Sequence, residues 1–392
     1  MACFGLALLS VLVTGEQCPG IQAAQTDELK QAQKEYDEAV EAFRTNTKLA
    51  SEQQIHLMMS SAKDAGGEMK KWKDAIHATN LPRIKLEQAA IRLFVLSPNP
   101  DQTLVMLMYQ IMNNAFQARR MGVVYRIGKI LKEYKAPADQ PPVNSQHLNS
   151  ATLMTGLAAV YVGDLELGEQ FATDFRHSHS ELDDSDFGMV SQVPYLKANA
   201  AEEQQRNASA KDQPRVRLQT EYGDVIVELF EDDAPLTVNS FIYLVERGFY
   251  DNTVFDSVLS GKIVQGGIFG TDRQPKIAGF TIPDEHHQPG ARRHVYGSLF
   301  MAKKFDEPDS ASSMFGFMPR CNADMDGNQT VFGRVISGME IVEHIEPTLQ
   351  IDKDGKIEQI PGAIATTLLK ADVLNKRDHE YLPPPVRSSE RQ

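Results

Sequence analysis

The sequence predicts an α+β chain in which an all-helical N-terminal region precedes a compact β-rich domain. Three observations predict it. Apolar residues recur at helical spacing from Thr26 to about Lys197. After Pro214 the period changes to two, with Val216, Leu218 and Thr220 alternating with charged or polar neighbours. Between the two lies 198–213, small and polar and nearly free of large apolar side chains, which has the composition of a linker or a fraying helix end and is taken as the linker.

Composition narrows the function classes. The 392 residues are 42% hydrophobic and 24% charged, which suits a globular protein, and the net charge of −13 argues against a nucleic-acid partner. The apolar run within residues 1–14 is too short to span a bilayer but long enough for the core of a secretory signal. Residues 1–24 are therefore expected to be a signal peptide. The protein is expected to be exported, periplasmic or envelope-associated, or cytoplasmic should that signal not function, with no integral membrane segment after its removal. Of Cys3, Cys18 and Cys321 only the last would survive cleavage, so no internal disulfide is expected.

In the helical region, expected to span 25–197, Asp27 is a plausible N-cap. A second segment runs from Gln102 to Tyr134, with Leu104, Leu107, Ile111, Ala115, Val123, Ile127 and Leu131 on one stripe, and Pro137, Pro141 and Pro142 stop it. From Leu148 to Phe175 two amphipathic stretches flank Gly163-Asp164 and predict a helical hairpin. That hairpin resembles one unit of a tetratricopeptide-type array, which implies a protein partner on the helical domain. An ordinary helical bundle is the alternative.

The β domain is expected over 214–376. Tyr222-Gly223-Asp224 marks a turn between two alternating strands. Asp233-Ala234-Pro235 opens a helix whose inner face is Val238, Phe241, Ile242 and Val245, and Gly248 ends it. The tail 377–392, with Pro383-Pro384-Pro385, reads as disordered. His286-His287 is an adjacent pair with no third ligand evident, expected on a solvated loop; no metal and no cofactor are expected.

A series of short words in the β domain carries more information. They are Gly223-Asp-Val-Ile-Val-Glu-Leu-Phe230, Ala234-Pro-Leu-Thr-Val-Asn-Ser-Phe241, Gly248-Phe-Tyr-Asp-Asn-Thr-Val-Phe255 and Val264-Gln-Gly-Gly267. Asp284-Glu285, Gly297-Ser-Leu-Phe-Met-Ala302, Asp309-Ser-Ala-Ser-Ser313, Asp326-Gly327 and the run from Thr330 to Val342 follow. In kind and order they resemble the cyclophilins, a class of peptidyl-prolyl isomerases. The resemblance implies a closed eight-stranded antiparallel β-barrel with two capping helices, supplied by 238–245 and 338–346. It also implies proline-containing polypeptide as the partner and a role in protein folding.

The chemistry so implied is rotation about an X-Pro amide, whose barrier of about 18–20 kcal/mol comes from delocalisation of the nitrogen lone pair. Catalysis needs a donor aimed at the prolyl nitrogen, an apolar pocket for the ring and groups that hold the carbonyl. By the resemblance, the arginine donor falls at Ser257, which is shorter and neutral, while the glutamine is kept as Gln265. Around the ring, the family's methionine falls at Ile263 and a phenylalanine at Lys262. The Ser-Gln-Phe-Phe word falls at Ser313, Met314, Phe315 and Gly316. Asp324 and Gln329 replace a large apolar residue and a histidine, with Met325 between them. Arg292, Arg293 and Arg320 are the cations that could substitute for the donor. The expected catalytic positions are thus Ser257 and Gln265, and the expected substrate contacts are Ile263, Met314, Phe315, Met325 and Gln329, with Phe315 and Met325 alternatively core residues that take no part in binding. Two readings follow: an isomerase of reduced rate, or a catalytically inactive binding or scaffold module.

Overall fold

The computed structural model describes residues 27–61, 64–135, 145–175, 184–209, 212–288, 290–304 and 306–383. The expected signal peptide, Cys3, Cys18, the prolines at 137, 141 and 142, and the tail beyond 383 lie outside the described residues. No described helix is long and apolar enough to cross a membrane.

The chain forms two compact units, one of residues 1–117 and 126–155, the other of 118–125 and 156–392. The first contains α1 (Asp27–Met59), α2 (Ala65–His77), α3 (Asn80–Leu96) and α4 (Gln102–Gln117). It also holds most of α5 (Met121–Glu133) and the start of α6 (Ser145–Val162). Its core is the expected stripe, with Leu104, Leu107, Ile111 and Ala115 buried together with Leu93 and Phe94. The segment 102–134 is two helices rather than one. They break at 118–120, where Arg119 takes a left-handed backbone (φ 59°).

The predicted hairpin is present as α6 and α7 (Leu165–Phe175). Gly163 turns the chain at φ 80°, and Asp164 caps α7 by accepting from the Leu167 N–H at 3.2 Å. At Gly156 the helices approach so closely that a Cβ would lie 2.4 Å from the Phe171 ring. The chain then forms α8 (Asp184–Ser191) and α9 (Val193–Ser209). This corrects the linker expected over 198–213: helix continues to Ser209, and α9 belongs to the same unit as the β domain. Polar composition misled because the helix is held by polar contacts. Arg292 donates to Glu203 and Asn207.

The β domain is built on β1 (Arg215–Thr220), β2 (Gly223–Leu229), α10 (Pro235–Glu246), β3 (Thr253–Val254), β4 (Ser257–Leu259) and β5 (Ile263–Gly266). It continues with β6 (Ser298–Met301), β7 (Phe315–Phe317), β8 (Thr330–Ser337), α11 (Met339–His344), β9 (Leu349–Ile351), β10 (Ile357–Gln359) and β11 (Thr367–Asn375). Strand order is β10-β9-β4-β5-β7-β6-β8-β2-β1-β11-β3. Since β3 and β4 belong to one run, 253–259, the two ends of that order are joined. Val254 pairs with Thr367 of β11, and Ser257 pairs with Gln265 of β5. Eight strands therefore go round a barrel, all antiparallel, with β9 and β10 as an added hairpin whose one parallel contact is to β4. Inside, Phe241 of α10 packs on Tyr250, Phe315 and Phe332 at centroid distances of 5.1–5.4 Å. Such offset and edge-on contacts stabilise by about 0.5–1.5 kcal/mol beyond burial.

α10 starts at Pro235, and its first amides are satisfied from afar. Glu285 accepts from the Leu236 and Thr237 N–H groups at 3.0 and 2.9 Å, placing a carboxylate at the positive end of the helix. Disorder was expected from 377, but residues 377–383 are packed against the domain. Tyr381 is buried and donates to Glu231 at 2.8 Å, and Arg377 forms a two-pronged pair with Asp232. Burial pushes the Tyr381 phenol up, and the Glu231 bond adds to it. Replacing Tyr381 with Ala is expected to cost about 3 kcal/mol, measured by urea unfolding of the full chain; Tyr381→Phe, which keeps the ring, is expected to cost about 1 kcal/mol.

Candidate functional site

Antiparallel pairing places one residue from each of five strands in a single row. Ser257 lies opposite Gln265, Gln265 opposite Gly316, Gly316 opposite Phe300, and Phe300 opposite Val331. Directly paired residues share a face, so this row marks the groove face on the outer side of the barrel, half-buried at Ser257 and Gln265 and buried at Phe300 and Val331. The alternate row, Val258, Val264, Phe317 and Leu299, faces the interior and is buried. One end of the groove carries an apolar cluster of Phe230, Phe300, Ala302, Met318 and Val331. Ile263, Met314 and Met325 are half-buried against it.

The expected residues divide accordingly. Ile263, Met314 and Met325 gather on this cluster. Gln265 is half-buried, and its amide has no hydrogen-bond partner among the described residues. The Gln329 Oε1 atom is buried and equally unpartnered. Phe315 is corrected: it is fully buried and packs edge-on against Phe241, Tyr250 and Phe255, so it belongs to the barrel core, not to the groove. Its position follows from strand alternation, since Met314 and Gly316 face outward.

Phe300 was missed by the sequence reading. A Cβ at Gly316 would lie 2.5 Å from Phe300 Cζ and 2.8 Å from Gln265 Cγ. The space that a side chain at 316 would use is thus filled from the neighbouring strand. Phe300 is itself fully buried, so it lies beneath the row rather than exposed on it, and glycine at 316 is what admits it. The signal was legible only as a pair: a glycine in the middle of a strand together with a large aromatic on its partner.

Ser257 is held in place by its backbone. Thr348 Oγ1 accepts from the Val258 N–H at 2.9 Å and donates to the Asp256 carbonyl at 2.7 Å. The Ser257 hydroxyl donates to Asp256 Oδ2 at 3.1 Å, so its proton is already engaged. Burial raises the Asp256 carboxyl above its usual range, and the bond from Ser257 only partly offsets this. The other carboxylate oxygen, Oδ1, is buried without a partner.

The cations considered as substitutes are engaged elsewhere or apart from the row. Arg292 donates to Asp233 at 2.7 Å and to Glu203 at 3.2 Å, and its guanidinium lies over the outer Phe230 ring at 4.1 Å. Arg293 pairs with Tyr195 and Asp326. Arg320 follows β7, beyond the row, beside the buried Cys321. Burial pushes the Cys321 thiol up to about 11, which makes it a poor nucleophile.

The rim that carries Met325 is a short 3-10 turn, Ala323–Met325. It is held by the junction of α8 and α9. Gln192 accepts from the Ala323 N–H at 3.0 Å, and Tyr195 donates to Asp326 at 2.9 Å. Asp326 also accepts from the His294 N–H and ring. Burial alone would raise its carboxyl, but the bonds from His294 and Tyr195 outweigh burial and hold it below the usual range. The Asp324 side chain is exposed and meets Gln192 at 3.5 Å, so it turns away from the pocket.

The family model for cyclophilin type peptidyl-prolyl cis-trans isomerases matches residues 215–364. Peptidyl-prolyl cis-trans isomerase A of Dickeya dadantii is 32% identical over 159 residues, which is 39% of this chain and 82% of that protein. The isomerase-like 1 protein of Gibberella zeae is 36% identical over 145 residues, 36% of this chain and 88% of that protein. A Cryptosporidium parvum isomerase of cyclophilin type, crystallised in the presence of the dipeptide Ala-Pro, aligns with 26% identity. It covers 41% of this chain and 99% of its own, with a TM-score of 0.35.

The exchange between Gly316 and Phe300 has a direct consequence. Gly316→Ala is expected to destabilise by about 1–3 kcal/mol through overpacking. In the Phe300→Ala background the same change is expected to cost much less. Chemical denaturation of the two single variants and the double variant measures that coupling.

Proposed function

From the premise that this chain belongs to the cyclophilin family, we propose that its barrel binds proline-containing polypeptide and isomerises the X-Pro bond at a reduced rate. The observation that carries the reading is the state of Ser257. At the position where the family places a guanidinium stands a neutral hydroxyl already donated to Asp256. A charge-assisted hydrogen bond is roughly twice as strong as a neutral one. Here the neutral donor is also short and engaged.

Binding is supported separately from catalysis. The half-buried Ile263, Met314 and Met325, backed by the buried Phe300, offer an apolar surface for a pyrrolidine ring. The Gln265 amide and the Gln329 oxygen have no hydrogen-bond partner among the described residues. The proline ring would rest on the cluster while Gln265 holds the carbonyl through the twist. No nucleophile or group transfer is needed, because rotation makes and breaks no σ-bond. The apolar run at the N-terminus supports a role outside the cytoplasm, on the sequence alone.

A prolyl-isomerisation assay on a short X-Pro peptide tests the reading. Ser257→Arg is expected to raise kcat/KM by roughly a hundredfold or more, the scale of one transition-state donor. Gln265→Ala is expected to lower the residual rate. A wild-type rate already equal to that of the arginine variant would contradict the proposal. Complete absence of catalysis in both, with peptide binding retained, would favour the inactive binding module.

A further inference from the structure

We propose that Asp284, His286 and His287 form a binding site for one divalent transition-metal ion of the zinc or nickel class, on the connection between β5 and β6. This replaces the expectation of a solvated His-His pair without a third ligand. His286 is buried, with a side chain only 2% exposed, and Asp284 supplies the missing ligand. One ligand atom from each of the three lies within 4.8 Å of the others.

The arrangement is built rather than incidental. Asp284 is fixed at both ends, its N–H donating to Asp309 Oδ1 at 2.8 Å. Its Oδ2 accepts from Lys303 Nζ at 2.8 Å and from the Asp309 N–H at 3.1 Å. That leaves Oδ1 directed at His286 Nδ1, 3.9 Å away. The Nδ1 atom is buried and has no hydrogen-bond partner, an unfavourable state for an imidazole nitrogen unless it meets a ligand. The His287 ring lies against that of His286, with centroids 3.9 Å apart, and His287 is exposed. Two ligands are thus set by the fold, and the third can rotate onto an ion from solvent.

The donor set selects the metal. With bonds of about 2.0–2.1 Å, tetrahedral ligands stand about 3.3–3.4 Å apart. The Asp284–His286 separation is therefore slightly long, and a small rotation of either side chain closes it. Two imidazoles and one carboxylate oxygen suit zinc, nickel, cobalt or copper. Calcium and magnesium need several oxygens, and here the one carboxylate has its second oxygen on a lysine. The Lys303 grip on Oδ2 orients the ligating oxygen, as outer partners commonly do in metal sites. Lys303 and Asp309 belong to the loop that runs from the groove residue Ala302 to Met314. An ion on Asp284 would therefore stiffen one wall of the groove.

The full chain, stripped with chelator, is titrated with Zn2+ by calorimetry and with Co2+ by visible absorption. A single high-affinity equivalent and a ligand-field band are expected, with Mg2+ and Ca2+ failing to compete. His287→Ala, which removes an exposed side chain and leaves the fold intact by circular dichroism, is expected to weaken Zn2+ by more than about tenfold. Asp284→Asn is expected to do the same. His56→Ala, on the exposed face of α1, is expected to change nothing. No cobalt band, or equal zinc affinity in wild type and His287→Ala, would overturn the site.

Discussion

One run of backbone, 253–259, organises the barrel. Its first half is hydrogen-bonded to β11 and its second half to β5, so the sheet closes through it. Thr348 clamps the point between the halves, bonding both the Asp256 carbonyl and the Val258 amide. Closure fixes register, and in a strand a slip of one residue exchanges the two faces. The identity of the side chain opposite Gln265 is therefore not adjustable. Whatever occupies 257 is presented to the groove, and the chain presents a serine.

Packing and charge in the groove differ in kind. Gly316 on one strand makes room for Phe300 on the next. The hydroxyl at 257 is turned to a carboxylate whose pKa burial raises, and Arg292 and Arg293 are bound up in ion pairs with Asp233, Glu203 and Asp326. Apolar volume can be supplied from any neighbouring strand. A charge aimed at one atom cannot be moved so easily, because both its position and its direction matter. The rim, in turn, depends on α9 through Tyr195 and Asp326, so the last helix before the barrel belongs to the site's support.

Much of this was legible from short words in order, because those words encode strand alternation and the turns that fix register. Ser257 and Gln265, assigned by resemblance, pair across two strands, and Ile263, Met314 and Met325 pack on one apolar cluster. Phe315 does not join them: matching words alone left open which of two neighbouring positions faces out, and alternation from Gly316 decides it. Phe300 escaped because its role exists only in relation to a glycine sixteen residues later. Polar composition was taken as linker at α9 and as disorder at 377–383. Both stretches are held by long-range polar contacts, such as Arg292 with Glu203 and Tyr381 with Glu231, which no local pattern reveals. The burial of His286 beside Asp284 is likewise a consequence of tertiary packing.

The proposed function is that of a proline-binding groove without the cation that speeds rotation. Exchange NMR on an X-Pro peptide titrated with the full chain tests it most directly, because one experiment reads binding and isomerisation together. Saturable shifts are expected at Gln265, Ile263 and Met325. Cis–trans exchange should be accelerated only modestly from its uncatalysed timescale of roughly tens of seconds. Exchange on the millisecond timescale with Ser257 in place, or no shift at those residues at saturating peptide, would contradict it.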